Sequence, residues 1–238
     1  GCSNEKEPTA RTPKSYSIEQ LYDNVAIGAA GFNADETRLL VDANHTGIFN
    51  LYELRLADTL LQPLTRSVKE SFFAVDYLPG TEKYLYSADQ GGDENNHLYL
   101  RSQTDTSGRD LTPWPGSANN FYGWSADKKA MYVASNRRNP QFFDLWKLDT
   151  ATWTPTLLFR NDSAFNLGTL SLSERYLSLT RSITTDKNEL YLLDRTTASL
   201  KKLSSGNEAT WYLQAIERND SLLYYTTNDG SEFHYLVK

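Results

Sequence analysis

The sequence predicts an all-β fold, a β-propeller of four-stranded antiparallel blades, and three observations lead to this prediction. Aromatic residues make up 13% of the 238 residues, which is typical of chains rich in pleated sheet. A strand with a Leu-Tyr-like pair recurs at spacings of 47, 47, 45 and 44 residues. Polar turns separate short alternating apolar strands within each repeat. Four strands in about 45 residues match a propeller blade, whereas a β-sandwich gives no reason for such a period.

The composition describes a globular chain and excludes several functional classes. The net charge of −6 argues against nucleic-acid binding, which needs a basic face. There is no apolar run of about 18 residues that would form a membrane-spanning helix. The single cysteine, Cys2, excludes an internal disulfide and a cysteine-based zinc site. Three scattered histidines, His45, His97 and His234, make a histidine-rich metal site unexpected, and no cofactor is predicted.

The first element is a predicted flexible tether over residues 1–15, which lacks apolar periodicity and precedes a propeller over 16–238. The opening Gly1-Cys2-Ser3 resembles the end of a bacterial lipobox, after which Cys2 carries lipid. This indicates a lipoprotein of the bacterial cell envelope, periplasmic or anchored in the outer membrane, that contacts the membrane only through its lipid. A free cysteine near a ragged end is the alternative.

The repeat divides the remaining chain into blade units of approximately 31–73, 74–118, 119–165, 166–209 and 210–238, the last incomplete. Each unit has a strand, a polar turn, an alternating strand, a polar loop and the Leu-aromatic strand, and most units close with a further strand. The repeated aromatic residues are Tyr52, Tyr99, Trp146, Tyr191 and Tyr235. The closing strands are predicted at 61–65, 109–112, 155–158 and 201–204.

The repeats amount to about four and a half blades. One interpretation is a fragment of a larger propeller that stops within a blade. The alternative is a closed five-bladed ring, in which residues 16–22 supply the missing fourth strand of the last blade and so remove two exposed edges.

Several phrases resemble the N-terminal propeller of the prolyl oligopeptidase (S9) family of serine peptidases. They are Ser17-Ile18-Glu19-Gln20-Leu21, the stretch 91–99 (GGDENNHLY), Asp110-Leu111-Thr112-Pro113 and the stretch 135–144 (SNRRNPQFFD). The Trp-Ser-x-Asp phrase at 124–127 is more general and also occurs in TolB-like and WD40-like propellers. The resemblance implies a propeller of seven or eight blades that restricts access to a C-terminal α/β-hydrolase domain of the same protein, which acts on peptide substrates.

No catalytic residues are predicted in this chain. The Gly-x-Ser-x-Gly nucleophile motif is absent, and the nearest string, Gly123-Trp124-Ser125-Ala126-Asp127, aligns with the first turn of the other units. Ser125 is therefore interpreted as a turn residue. His97 and His234 fall in the Leu-aromatic strands and His45 in a loop, so none is expected to act as a catalytic base.

The loops between the second and third strands are the predicted binding region, because alternate turns of a blade share one face of the propeller. One loop carries Asp93 and Glu94, and its neighbour carries Arg137 and Arg138. These four are candidate contacts for substrate or for another domain, and an ordinary solvated rim is the alternative. The acidic stretch 89–94 lacks the order of a calcium loop, so no metal ligand is predicted.

These observations predict a non-catalytic propeller portion that gates and positions peptides for a hydrolase domain outside this chain. The alternative is a stand-alone envelope lipoprotein whose propeller is a ligand- or protein-binding scaffold. A third hypothesis, an enzyme with an unrecognised site, would require hydrolytic turnover by the chain itself.

Overall fold

The computed structural model describes residues 13–205, 210–216 and 220–238. Within these residues the chain forms one short helix and nineteen strands. The strands make four four-stranded sheets and one three-stranded sheet, and all pairings are antiparallel. The prediction of an all-β propeller with an incomplete last blade is confirmed.

The elements follow the chain in the order of the sheets. Helix α1 (Ile18–Tyr22) precedes the first sheet, β1 (Ile27–Phe32), β2 (Arg38–Ala43), β3 (Asn50–Arg55) and β4 (Leu61–Pro63). The second sheet is β5 (Phe73–Tyr77), β6 (Tyr84–Ala88), β7 (His97–Arg101) and β8 (Arg109–Asp110). The third is β9 (Asn119–Trp124), β10 (Ala130–Ser135), β11 (Asp144–Asp149) and β12 (Pro155–Phe159). The fourth is β13 (Asn166–Leu170), β14 (Tyr176–Thr184), β15 (Lys187–Asp194) and β16 (Ser199–Lys202). The fifth is β17 (Tyr212–Ile216), β18 (Leu223–Thr227) and β19 (Tyr235–Val237).

Each sheet is a meander in which neighbouring strands are consecutive in the chain. Every repeated aromatic residue lies in the third strand of its sheet, as the periodicity requires. The first sheet begins at Ile27, four residues before the start predicted for the first unit, because β1 has little apolar alternation to mark it.

Apolar clusters between consecutive sheets form the core. Leu40 and Leu51 of the first sheet pack with Tyr77, Tyr84 and Tyr86 of the second. Met131 and Val133 are among the third-sheet residues that pack against the second sheet, and Trp114, Trp124 and Trp153 join this cluster. Another cluster joins the third and fourth sheets. Full burial of one such leucine stabilises the fold by about 1.5–3 kcal/mol. Apolar contacts between the faces of neighbouring sheets are therefore the main interaction that holds the sheets together.

Asp76 on β5 lies where three sheets meet. Its carboxylate accepts a hydrogen bond from Trp124 Nε1 of the third sheet at 2.8 Å. A Cβ atom on Gly31 of the first sheet would lie only 1.8 Å from Asp76 Oδ1. Glycine at position 31 therefore lets the first strands of the first and second sheets approach each other.

The alternative in which residues 16–22 form the missing fourth strand of a five-bladed ring is wrong. Ile18–Tyr22 is an α-helix whose N-terminus is fixed by a capping box between Ser17 and Gln20. No helix residue is buried, and β19 pairs only with β18 within the described residues. The Ser-x-x-Gln pattern at 17–20 is a helix-start signal, and it explains why this segment is helical.

Helix α1, the single helix in the described part of the chain, lacks the length and apolar character needed to cross a bilayer.

Candidate functional site

The candidate site lies at the same end of the strands in all five sheets, and this end is here called the loop face. It consists of the loops between second and third strands and the connectors from each sheet to the next. The hairpin loops are residues 44–49, 89–96, 136–143, 185–186 and 228–234. The described connectors are residues 64–72, 111–118, 160–165, 203–205 and 210–211. Because strands in a meander alternate in direction, the hairpin loops and the connectors lie at the same end of the strands.

Asn119, at the start of β9, joins loop 89–96 to the end of β10, which leads into the loop that carries Arg137 and Arg138. Its side-chain Nδ2 donates to the carbonyl of Asn96 at 3.1 Å, and its Oδ1 accepts from the Ser135 hydroxyl at 2.6 Å. In the loop that follows, Asn136 Oδ1 accepts from the backbone N–H of Ala118 at 2.8 Å. Loops 89–96 and 136–143 are thus held to one connector, and this part of the loop face is ordered by hydrogen bonds.

Asp93 organises the acidic loop from within. One carboxylate oxygen accepts from the backbone N–H of Asn95 at 3.0 Å, and the other accepts from the Asn95 side chain at 3.2 Å. These hydrogen bonds, chiefly the one from the backbone, lower the pKa of Asp93. Glu94 has a positive φ of 61°, and its N–H donates to Asp89. Both side chains are exposed, and within the described residues neither forms an ion pair with Arg137 or Arg138.

Arg138 is bound within its own sheet. Its guanidinium forms two hydrogen bonds with the fully buried carboxylate of Asp144, at 2.7 and 2.8 Å. It also donates to the carbonyl of Asn161 and pairs with Asp162 at 2.9 Å. The hydrogen bonds to Asp144 raise the pKa of Arg138. Arg138 therefore ties loop 136–143 to connector 160–165, and few of its donors face solvent.

Arg137 has quite different surroundings. Its guanidinium carbon lies 4.1 Å from the ring centroid of Trp114 and 4.8 Å from that of Trp146. Trp114 is buried in the cluster between the second and third sheets, and Trp146 packs against that cluster. Burial lowers the pKa of Arg137. The residue is exposed, and its side chain has no hydrogen-bond or ion-pair partner among the described residues.

Sequence reasoning placed Arg137 on the loop face but missed its two tryptophan neighbours. Trp146 occupies the repeat position that is tyrosine in the other four units. That substitution, beside two arginines in the preceding loop, was the available signal. The position of Trp114 depends on how connector 111–118 folds back over the third sheet, which the spacing does not reveal.

A cavity of about 810 Å³ opens between connector 64–72 and the second sheet. Its floor includes Tyr86 and Tyr99, whose rings stack with centroids 5.1 Å apart. Arg66, Lys69 and Arg101 line it. Burial raises the pKa of Tyr86 to about 12. The volume is within the range of ligand pockets, and Glu70 and Asp89 line the cavity beside the cations and the aromatic rings.

The described residues do not form a serine-hydrolase triad. The Ser125 hydroxyl donates to Asp127 at 2.7 Å and accepts from the Ala130 N–H at 2.9 Å, so it serves the turn before β10. His97 Nδ1 is 2.7 Å from Asp110 of the same sheet. A histidine with an orienting carboxylate still needs a nucleophile, and no serine or threonine bonds to His97 in the part of the chain described.

The described residues also contain no group of three or more histidine, cysteine, aspartate or glutamate side chains arranged to hold a metal ion. Cys2, the predicted site of lipid attachment, lies outside the described residues.

Comparison with known proteins gives a family match over most of the chain. Residues 51–238 match the family described as the prolyl oligopeptidase N-terminal β-propeller domain. Dipeptidyl aminopeptidase BIII of Pseudoxanthomonas mexicana is 34% identical over 108 residues, which are 45% of this chain and 15% of that protein. The matched segment thus spans a small part of that longer relative.

Solved structures share the fold at low sequence identity. TolB from Acinetobacter baumannii has a TM-score of 0.56 and 17% identity, over 89% of this chain and 56% of that one. An oligogalacturonate lyase in complex with manganese has a TM-score of 0.62 and 14% identity, over 89% and 63%. Prolyl oligopeptidase B from Galerina marginata, bound to a 25mer macrocyclization substrate, has a TM-score of 0.60 and 12% identity, over 87% and 33%. At these identities the likeness concerns the propeller architecture.

Proposed function

The chain belongs to the family of prolyl oligopeptidase N-terminal β-propeller domains, and from this membership we propose that it is the non-catalytic propeller portion of a serine peptidase. In this role it gates and positions peptides for a C-terminal α/β-hydrolase domain of the same protein. The family match over residues 51–238 is the observation that carries the proposal. The use of the Ser125 hydroxyl within a turn agrees with a non-catalytic role.

The sheets would restrict access because they are stiff and packed face to face. Apolar clusters join the first four sheets, and Asp76 ties the second sheet to the third through Trp124. An extended peptide can enter a ring of such blades without deforming any blade, whereas a folded protein would have to push the blades apart.

The loop face would position the peptide by charge. Asp93 and Glu94 are exposed carboxylates that can attract a peptide ammonium group, and Arg137 offers unpaired donors to peptide acceptors. Arg138 would contribute indirectly, because it holds loop 136–143 in place through Asp144.

The decisive experiment is the intact mass of the natural product purified from its host, followed by peptide hydrolysis assays. We expect a mass far above 27.0 kDa and cleavage of a short peptide but not of the same sequence inside a folded protein. A variant lacking residues 27–238 should lose this discrimination. Equal cleavage of both substrates by the intact product would refute the gating role.

A second candidate is a stand-alone lipoprotein of the bacterial envelope with a binding propeller, and the opening Gly1-Cys2-Ser3 is consistent with it. A natural mass near 27.0 kDa plus lipid would establish this alternative and exclude the peptidase. In either case we propose an envelope location through lipid on Cys2. Fractionation tests it, because a Cys2→Ala variant should move from the membrane fraction to the soluble fraction.

A further inference from the structure

We propose that the guanidinium of Arg137, held over Trp114 and Trp146, is a binding site for a peptide carboxylate. The inference starts from an arginine that is fixed in position and yet lacks an anionic partner among the described residues. The site on the chain follows from geometry alone, whereas a peptide as the source of the carboxylate rests on the proposed function.

Two indole rings fix the guanidinium. The distances of 4.1 and 4.8 Å to the ring centroids are those of cation–π contacts. The two rings are tilted at 47° with centroids 5.9 Å apart, so they form an angle that the guanidinium fills. Trp114 is only 9% exposed and Trp146 packs on the same cluster, so this support is part of the core. An arginine supported in this way loses little conformational entropy when it binds a ligand.

The fourth sheet contains a closely similar arginine that does have a partner. Arg181 lies over Phe165 and Tyr191, at 5.8 and 5.4 Å from their centroids. It pairs at 2.8 Å with Glu189, two residues before the repeated aromatic Tyr191. The comparison shows what an arginine stacked on this part of a sheet binds when a carboxylate is available.

In the third sheet the carboxylate at the same repeat position is already taken. Asp144 lies two residues before Trp146, and both of its oxygens accept from Arg138. Arg137 therefore stays uncompensated in a chain with a net charge of −6. Burial lowers its pKa, because part of the charge is removed from water without an opposite charge nearby.

The geometry favours an anion that accepts two parallel hydrogen bonds, and a carboxylate is the group of this kind that an unmodified peptide supplies. The two indoles lie on adjacent sides of the guanidinium, so the N–H groups that point away from the rings stay available to a ligand. A planar carboxylate accepts two parallel hydrogen bonds from these groups, whereas an ammonium ligand would be repelled. The site is exposed, so a carboxylate on a peptide can reach it.

The test is a titration of the 238-residue chain at neutral pH with acetyl-trialanine as the free acid and as its C-terminal amide. Binding is followed by tryptophan fluorescence and by the NMR signal of the Arg137 Nε–H group. We expect saturable binding of the acid, and binding of the amide about tenfold weaker or worse, because charge-assisted hydrogen bonds are lost. Acetyl-Ala-Glu-Ala-amide distinguishes the two sources: its binding assigns the site to acidic side chains as well as C-termini, and binding of the free acid alone assigns it to C-termini.

Three variants distinguish specific binding at Arg137 from nonspecific electrostatic attraction. Arg137→Met should lose binding about tenfold or more, and Arg137→Lys should retain only part of it, because lysine lacks the two-pronged geometry. Arg181→Met is the matched control and should bind as the wild type does, since Arg181 is already paired with Glu189. Circular dichroism of each variant checks folding, and the lysine variant keeps the test decisive if the methionine variant unfolds.

The proposal fails if the amide binds as well as the acid, if Arg137→Met binds like the wild type, or if Arg181→Met weakens binding equally. Tighter binding of inorganic phosphate than of the free acid would also overturn the carboxylate assignment. Because the titration requires no hydrolysis, a negative result leaves the proposed gating role intact. Conversely, a natural product without a hydrolase domain would refute the proposed function but not the binding of a carboxylate at Arg137.

Discussion

At the scale of single residues, two adjacent arginines in one loop have opposite roles. Arg138 neutralises the buried Asp144, whereas Arg137 lies over two indoles with no anionic partner in the described chain. The same charge at neighbouring positions thus serves stability in one case and leaves donors available in the other. The buried carboxylate decides this difference, because it has to be paired.

Replacement of Arg138 by alanine should destabilise the protein by about 3 kcal/mol, because Asp144 would be left buried and unpaired. Arg160→Ala is the matched control, since Arg160 pairs with Asp162 at 2.7 Å and both side chains are largely exposed. The control should cost less than about 1 kcal/mol. Urea unfolding measures both, and equal losses in the two variants would contradict the assigned role of Arg138.

Glu189 should make stability depend on pH in the acid range. Hydrogen bonds from Lys202, Tyr191 and Arg181 lower its pKa to about 2, compared with about 4.3 in an unfolded chain. A lowered folded-state pKa contributes stability above the unfolded value, and this contribution is lost as the pH falls from about 4.3 towards 2.

The measurement is the urea midpoint as a function of pH for the wild type and for Glu189→Gln. The wild type should be the more stable protein near pH 7, and the difference should shrink until the two curves meet near pH 2. Curves that stay parallel over this range would show that Glu189 titrates normally in the folded protein.

At the scale of elements, the turns between the first two strands repeat one backbone conformation. Glu36, Lys128 and Glu174 occupy equivalent positions in the first, third and fourth sheets, with positive φ angles of 56°, 61° and 63°. This is a turn followed by a left-handed residue, a common hairpin connection. The second sheet uses Pro79-Gly80 instead, and Gly80 carries the positive φ of 73°.

Substitution of Lys128 by glycine should therefore stabilise the protein by about 0.5 kcal/mol. The relief of left-handed strain exceeds the entropy that glycine gains in the unfolded chain. Lys129→Gly is the control at the next exposed position, where no positive φ is found. It should destabilise by about 0.5–1 kcal/mol. Thermal unfolding measures both, and a loss of stability in Lys128→Gly would contradict this account.

At the scale of the whole molecule, the sheets are joined in series through their faces, and helix α1 takes no part in this packing. Ile18 and Leu21 are 70% and 61% exposed. The fifth sheet remains three-stranded within the described residues, and Leu236 on β19 and Phe233 in the loop before it are exposed. The helix therefore does not complete the last blade.

Substitution of both Ile18 and Leu21 by serine should change the free energy of unfolding by less than about 0.5 kcal/mol. Leu40→Ala is the comparison, because Leu40 is fully buried between the first two sheets, and it should cost about 3 kcal/mol. Urea unfolding provides the measurement. A loss above 1 kcal/mol in the double serine variant would indicate that this segment packs into a blade in solution.

Much of the fold could be predicted from the sequence because its signals are local and repeated. The aromatic residues from Tyr52 to Tyr235 mark the third strands, and alternation marks the strands beside them. The helix at Ile18–Tyr22 was missed, although its Ser17 and Gln20 capping residues are visible in the sequence. The alternative of a closed five-bladed ring required a strand there, in conflict with that local signal.

The sequence by itself determined the all-β architecture, the number of repeats and the face on which Arg137 and Arg138 lie, because each depends on spacing along the chain. Only the tertiary structure decided that Arg138 is paired with Asp144 and that Arg137 is supported by Trp114 and Trp146. Those contacts join a loop to a connector and to a neighbouring sheet. Their partners are fixed by how the sheets pack, and packing leaves no periodic trace in the sequence.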